Sequence, residues 1–259
     1  MRIGLIGCGN MACALARGWG RPAACFDPLT DRARRLAEEL GGRAMESSRE
    51  VAESSDLLVL AHKPAQLREV AGELGEAAAG RAVASILAAT TLMDLRDAYP
   101  DSSVYRFLPS LPVEVRRGAV VQARGSGAGS AAGSGRAAAE LDEAVTGLFG
   151  ELGMLVVLDE SLVDVAMGLM SCAPAYVALV AEAQIDAGVR RGIPAAQGAP
   201  LVVETLAGTA ELLRSRGYDT VAVRREVTSP GGVTARGLDA LERAGVRAAF
   251  SDALDAVLR

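Results

Sequence analysis

An apolar run from Arg2 to Ile6 stops at Gly7, and a helical pattern takes over at once. This leaves Gly7, Gly9 and Ala12 in a Gly-x-Gly-x-x-Ala spacing between a strand and a helix. Each position has a physical job in that context. The first glycine permits a tight turn, the second leaves room for a pyrophosphate to touch backbone, and the alanine lets helix and strand pack closely. Unpaired amides and the positive end of the helix then attract phosphates. Outside this context the same glycines would make an ordinary tight turn; within it they predict dinucleotide binding.

A strand so placed belongs to a parallel sheet with crossover helices, and the rest of the first half agrees. Further strands are predicted near Ala23 to Phe26, Leu57 to Ala61, Val83 to Leu87, Val104 to Phe107, Ala119 to Gln122 and Met154 to Leu158. Ser47 with Glu50, and Thr91 with Asp94, have capping-box spacing at predicted helix starts. The helical stretch Ala137 to Phe149 puts Leu141, Val145 and Leu148 on one face, suited to packing on the sheet. From about Ser161 the strand signals stop, and helical patterns broken at Pro174, Pro194, Pro200 and Pro230 fill the chain. The expected architecture is α/β, a doubly wound Rossmann-type, mostly parallel sheet over residues 1–158, followed by an all-helical region over 159–259. The segment Arg124 to Arg136, rich in Gly and Ser without an apolar face, reads as a flexible surface loop.

Asp27 ends the second predicted strand about 20 residues past the glycines. There an acidic side chain hydrogen-bonds the adenosine ribose hydroxyls and repels a 2′-phosphate. Arg32, Arg34 and Arg35 lie just beyond, within reach of such a phosphate, so both NADH and NADPH stay open, with a lean to NADH. Asn10, His62 and Lys63 are each the single residue of their type in the chain. His62, Lys63 and Pro64 follow the strand LLVLA, at the carboxyl end where ligands of open parallel sheets bind. The alternative for them is a polar turn before a helix, with Pro64 in its first turn.

Composition removes several function classes. Twenty-seven basic against 32 acidic residues and 3% aromatics leave neither a basic stripe nor stacking platforms for nucleic acid. Cys8, Cys13, Cys25 and Cys172 lack metal-ligand spacing, and with one histidine no metal site is expected. Met1 leads within two residues into the first strand, without the charged and apolar regions of a signal peptide, which predicts a cytoplasmic protein. Leu162 to Ala181 is nearly apolar enough for a membrane span, but it holds Asp164 and Pro174 and is barely long enough, so a buried helix is expected.

Near the C-terminus a Ser-Pro-Gly-Gly turn precedes a helix starting near Thr234. Converging amides and a helix start make a carboxylate cradle in principle, with hydroxyls from Ser229 and Thr234. On physics alone a simple helix connection explains the turn equally well.

The sequence resembles pyrroline-5-carboxylate reductases over nearly its whole length. The matching segments are IGCGNM at the start, HKP after LLVLA, APAYV at Ala173 to Val177, DAGVRRGIP at Asp186 to Pro194, and VTSPGGVTARGLDALERAGVRAAF at Val227 to Phe250. The resemblance implies a helical C-terminal domain interlocked with a partner in a homodimer or higher homo-oligomer. It also implies reduction of a small cyclic imine carboxylate by NAD(P)H, with Leu162 to Ala181 as dimer core. By position, Gly7, Cys8, Gly9, Asn10 and Met11 would hold the pyrophosphate, and Lys63, Pro64 and Ala88 would line the cofactor cleft. Ser229, Gly231, Gly232, Val233 and Thr234 would bind the substrate carboxylate, contributed by the partner subunit, with Thr234 orienting the ring nitrogen or carboxylate as the catalytic residue.

The departures from the family pattern are specific. Its Met-Pro-Asn-Thr-Pro element reads Leu108, Pro109, Ser110, Leu111, Pro112, without the asparagine amide. Its Ser-Gly-Ser-Gly-Pro-Ala-Tyr element begins Met170, Ser171, Cys172, Ala173, and its Ala-Ala-Gly turn reads Leu87, Ala88, Ala89. Asp27 stands where the family usually has a small hydroxyl residue. Two other functions therefore remain in view: reduction of another imine or a 2-hydroxy acid, and a dinucleotide-binding dimer without catalysis.

Overall fold

The computed structural model describes residues 1–127 and 136–259. Most of the Gly/Ser segment expected as a loop, residues 128–135, therefore lies outside the described residues. Among the described residues one sheet holds eight strands: β1 (Ile3–Ile6), β2 (Ala23–Phe26), β3 (Arg43–Ala44), β4 (Leu57–Leu60), β5 (Ala82–Ser85), β6 (Ser103–Pro109), β7 (Gly118–Ala123) and β8 (Gly153–Leu158). Their order is β3-β2-β1-β4-β5-β6-β7-β8, parallel throughout except for the antiparallel pair β6 and β7. The strand order reverses at β1, between β2 and β4, and the crevice beyond the carboxyl ends of β1 and β4 is the ligand position of such a sheet.

The connecting helices are α1 (Asn10–Trp19), α2 (Thr30–Leu40), α3 (Ser48–Ser54), α4 (Leu67–Leu74), α5 (Leu92–Ala98), α6 (Arg136–Gly150) and α7 (Glu160–Ala166). Side chains alternate across a strand, and β1 shows the result: Ile3 and Leu5 enter one buried cluster with residues of α1, α2 and α6, while Ile6 enters a second with residues of α3, α4, α5 and α7. The first cluster is pinned by an aromatic column. Trp19 meets Phe149 edge-on at 5.4 Å, Phe149 stacks on Phe107 at 3.8 Å, and Trp19 Nε1 donates to the Leu148 carbonyl at 2.9 Å.

Helix starts differ in how completely they are capped. Thr91 and Asp94 form the full reciprocal box, whereas Ser47 accepts from the Glu50 amide while the Glu50 carboxylate accepts from the Glu46 amide instead. The two-residue edge strand β3 was not expected. Both its residues are exposed, so no apolar run announces it, and it is held by ladder bonds to β2.

The chain forms two compact units, Met1–Cys172 and Ala173–Arg259. Segment 159–172, helical in the expected second region, places Val163 and Ala166 in the second buried cluster of the first unit. The second unit contains α8 (Ala173–Val189), α9 (Ala195–Ser215), α10 (Thr220–Glu226), α11 (Val233–Arg243) and α12 (Val246–Val257). Pro194 caps α9, but Pro200 sits inside it without ending it. Pro200 forfeits a single backbone bond near the helix start.

Leu162 to Ala181 is not a uniformly buried helix in the single chain. Glu160–Val189 is long and apolar enough to cross a membrane by length and composition, yet only 17% of its most apolar window is buried, and no residue of α8 is buried. Val177 and Leu179 are exposed.

Candidate active site

The turn after β1 is built by contacts that admit only glycine at its first position. Gly7 has φ +94°, and a Cβ there would lie 2.7 Å from the carbonyl of Ala61 at the end of β4. Its amide donates to the Phe26 carbonyl at 2.8 Å, closing the turn onto β2. Gly9 is different: a Cβ would meet nothing within 4 Å, and the residue begins α1 without any side-chain cap. Ala12, 1% exposed, packs the helix onto the sheet. The amides of Asn10, Met11 and Ala12 thus head a helix start, and Gly9 keeps the approach to it open. The Cys8 thiol donates to the Phe26 carbonyl at 3.6 Å, and the neighbouring Cys25 together with burial holds it above the ordinary thiol range.

Asp27 is 8% exposed and turned inward. One carboxylate oxygen accepts from the Cys8 amide at 2.8 Å and the other from the Leu29 amide at 2.9 Å. The carboxylate therefore ties the end of β2 to the glycine turn. Beside it a cavity of about 530 Å³ runs between α1 and α2, lined among others by Gly9, Asn10, Cys13, Arg32, Arg35 and Glu39. Arg17, also on its wall, is held by Glu39 at 2.7 Å and Glu114 at 3.2 Å. Arg32 has no ion-pair partner among the described residues, and Arg35 Nε donates to the Asp31 carbonyl at 3.2 Å. An uncapped helix start, open space at Gly9 and a cavity of this size fit the diphosphate and adenosine parts of a dinucleotide.

The segment after β4 separates the two singletons. Lys63 is exposed, with Pro64 opening a short 3₁₀ turn behind it. His62 is half-buried, and its Nδ1 lies 2.9 Å from the Lys63 carbonyl, which makes Nδ1 the protonated nitrogen. Burial pushes the ring below the usual histidine range, so it is neutral at pH 7. Nδ1 is thus committed to its own loop, while Nε2 is buried without a hydrogen-bond partner among the described residues.

After β5, Ala88 is half-buried and Ala89 has φ +50°, a left-handed conformation that favours glycine. The chain thus carries alanine in a left-handed conformation where the family pattern has glycine. After β6, Ser110 is 4% exposed and its hydroxyl accepts from the Ala119 amide at 2.8 Å, so it faces β7. The other departing element meets this one directly. Met167–Ser171 forms a π-helical turn, and Ser171 Oγ donates to the Pro109 carbonyl at 2.7 Å. The sequence gives no sign of this contact, because its partners are 62 residues apart.

The second glycine turn lies in the second unit and is described within it. Gly231 has φ +69° and open space around it, and Gly232 caps α11 without a side-chain bond. The Gly232 amide closes the turn by donating to the Ser229 carbonyl at 3.0 Å, and Arg236 donates to the Gly231 carbonyl at 3.0 Å. The amides of Val233 and Thr234 are left at the helix start, with Thr234 half-buried and Val233 76% exposed. Such a start can take a small anion, with the Thr234 hydroxyl beside it.

Comparison with known proteins covers both units. A family model described as "Pyrroline-5-carboxylate reductase dimerisation" matches residues 160–259, and one described as "NADP oxidoreductase coenzyme F420-dependent" matches residues 2–89. The chain is 35% identical over 266 residues to the pyrroline-5-carboxylate reductase of Thermus thermophilus, covering 100% of this chain and 97% of that one. The 1-pyrroline-5-carboxylate reductase of Streptococcus pyogenes superposes with a TM-score of 0.83 at 27% identity, covering 99% and 96% of the two chains. The Plasmodium falciparum pyrroline carboxylate reductase, solved with NADP bound, shares the fold with a TM-score of 0.85 at 24% identity over 99% and 95%.

Proposed function

The chain belongs to the pyrroline-5-carboxylate reductase family, and on that premise we propose that it reduces 1-pyrroline-5-carboxylate to proline with NAD(P)H. The observation that carries the reading is the pairing of two particular helix starts, those of α1 at Gly9 and α11 at Gly232, each led by glycine and without a side-chain cap. One faces a dinucleotide-sized cavity and the other forms a small open turn.

A reduced nicotinamide bound at the first site supplies a hydride to the imine carbon of the substrate. A protonated ring imine is already electrophilic, so the protein has chiefly to position and desolvate it. Asn10, Met11 and their neighbours hold the pyrophosphate, Gly7 and Cys8 shape the turn beneath it, and Lys63, Pro64 and Ala88 line the cleft. His62 supports the same loop from within. The Val233 and Thr234 amides with Ser229 and the Gly231–Gly232 bend hold the substrate carboxylate, and the Thr234 hydroxyl orients the ring. Asp27 tilts the preference toward NADH, because a 2′-phosphate would meet its charge; Arg32 and Arg35 on the cavity wall keep NADPH usable. The working form is a homo-oligomer with the dimer as its unit, supported by the uncovered apolar face of α8 and the dimerisation match over residues 160–259. We place it as a soluble cytoplasmic enzyme.

The test is oxidation of NADH and NADPH with pyrroline-5-carboxylate against a panel of other cyclic imines and 2-hydroxy acids, repeated with Thr234→Ala. Pyrroline-5-carboxylate is expected to be the best substrate. Thr234→Ala is expected to lower kcat/KM by about 10² or more, with cofactor Kd unchanged. Unchanged kinetics would remove Thr234 from the site. A second reading, reduction of a different imine, is favoured by Ser110 and Ser171, whose hydroxyls are spent on backbone at the two altered elements. Preferential turnover of another imine in the same panel decides for it.

A further inference from the structure

Arg106, in the middle of β6, is 1% exposed, and both carboxylates that reach it come from α7. Glu160 lies 3.2 Å from Nη1 and Asp164 lies 2.7 Å from Nη2. An arginine buried this deeply must be paired, and an apolar side chain would fill the same strand position at less cost in desolvation. Stability alone is therefore a poor reason for the network.

The two carboxylates are not equivalent. Glu160 Oε1 also accepts from the backbone amide of Leu92 at 2.6 Å. Leu92 is the first residue of α5, directly after the turn Leu87 to Thr91 that carries Ala88. That turn holds Ala89 at φ +50°, and a left-handed alanine persists only where its surroundings over-determine it. Inside the turn, the Leu87 amide donates to Ser85 Oγ at 3.2 Å and Thr90 Oγ1 donates to the Ala88 carbonyl at 3.2 Å. At the far end, Glu160 grips α5 from another element of the fold.

We propose that Glu160, held by Arg106, is a positioning residue for the Ala88 turn of the cofactor cleft. The guanidinium fixes the carboxylate, the carboxylate fixes the Leu92 amide, and the start of α5 sets the path of Ala88 and Ala89. Asp164 holds the same guanidinium but touches no part of the turn. This rests on Ala88 lining the cofactor cleft, as proposed above.

The experiment compares Glu160→Ala, Glu160→Gln, Asp164→Ala and Ala88→Leu in the full chain, reading Tm together with Kd for NADH and NADPH by calorimetric titration. Glu160→Ala is expected to raise cofactor Kd about tenfold or more. Glu160→Gln, which keeps an acceptor oxygen for the Leu92 amide, is expected to recover most of that loss. Asp164→Ala is expected to lower Tm comparably while Kd stays within about twofold, since Arg106 keeps Glu160. If Kd follows Tm alike in the Glu160 and Asp164 variants, or is unmoved in Glu160→Ala, the positioning role is overturned. Ala88→Leu separates the two claims. A raised Kd there with none in Glu160→Ala overturns the positioning role and leaves the cleft assignment standing, whereas an unchanged Kd in Ala88→Leu overturns both.

Discussion

The two glycine turns look alike in sequence and differ in how they are held. Around Gly7 every direction is filled: the strand behind it is buried, its amide is engaged by β2, and a Cβ would strike the Ala61 backbone at 2.7 Å. Around Gly231 a Cβ would meet nothing within 4 Å, and no residue of the helix that follows is buried. The first turn is shaped by packing inside its own unit. The second is shaped by its local backbone and by the Arg236 guanidinium on the Gly231 carbonyl.

The sharpest way to break this contrast is a matched pair of substitutions. Gly7→Ala is expected to cost about 3–5 kcal/mol, from a backbone collision added to an unfavourable φ. That is about 10 °C or more in Tm, with cofactor binding lost in titration. Gly231→Ala meets only the left-handed backbone and is expected to cost about 1 kcal/mol. Tm then falls by about 2–4 °C, substrate KM rises, and cofactor Kd is unchanged. Equal damage from both would mean that the second turn is packed as tightly as the first.

A smaller effect sharpens the account of the first turn. Asp27→Ser removes the charge beside the ribose position and one anchor of the Cys8 amide. The ratio of kcat/KM for NADPH over NADH is expected to rise about tenfold, with both cofactors bound somewhat more weakly. A constant ratio would leave Asp27 as an anchor of the turn and nothing more. The smallest effect is expected at Ala89, where glycine relieves a left-handed alanine: Ala89→Gly should raise stability by up to about 1 kcal/mol, or about 2–4 °C in Tm. A fall in Tm would show that the turn gains more from a stiff backbone than it loses in strain.

Much of the fold was legible because its signals are local. β1, its glycine turn and the start of α1 follow from a dozen adjacent residues, and the cap at Thr91 and Asp94 from four. The same locality explains the misses. β3 is two exposed residues with no pattern to read, and Pro200 was expected to break a helix that continues past it. The long apolar stretch from Leu162 was expected to be buried, yet only Val163, Ala166 and Gly168 in it are, because hydropathy records that a surface avoids water without saying what covers it.

The site divides in the same way. Residue identity and spacing singled out Gly7, Gly9 and Asp27 and left the Gly231 turn with Thr234 open between a carboxylate cradle and a helix connection, while Ala88 entered only through the family resemblance. Which donors and charges remain for a ligand was settled by folding. The Asp27 carboxylate is drawn to two amides, His62 Nδ1 is spent on its own loop, and Ser110 and Ser171 bond to backbone. Arg106 meets its carboxylates 54 and 58 residues later in the chain. Such pairings depend on where the strands and helices come together, and a hydrogen bond or ion pair acts over a few ångströms of space, whatever the separation along the chain.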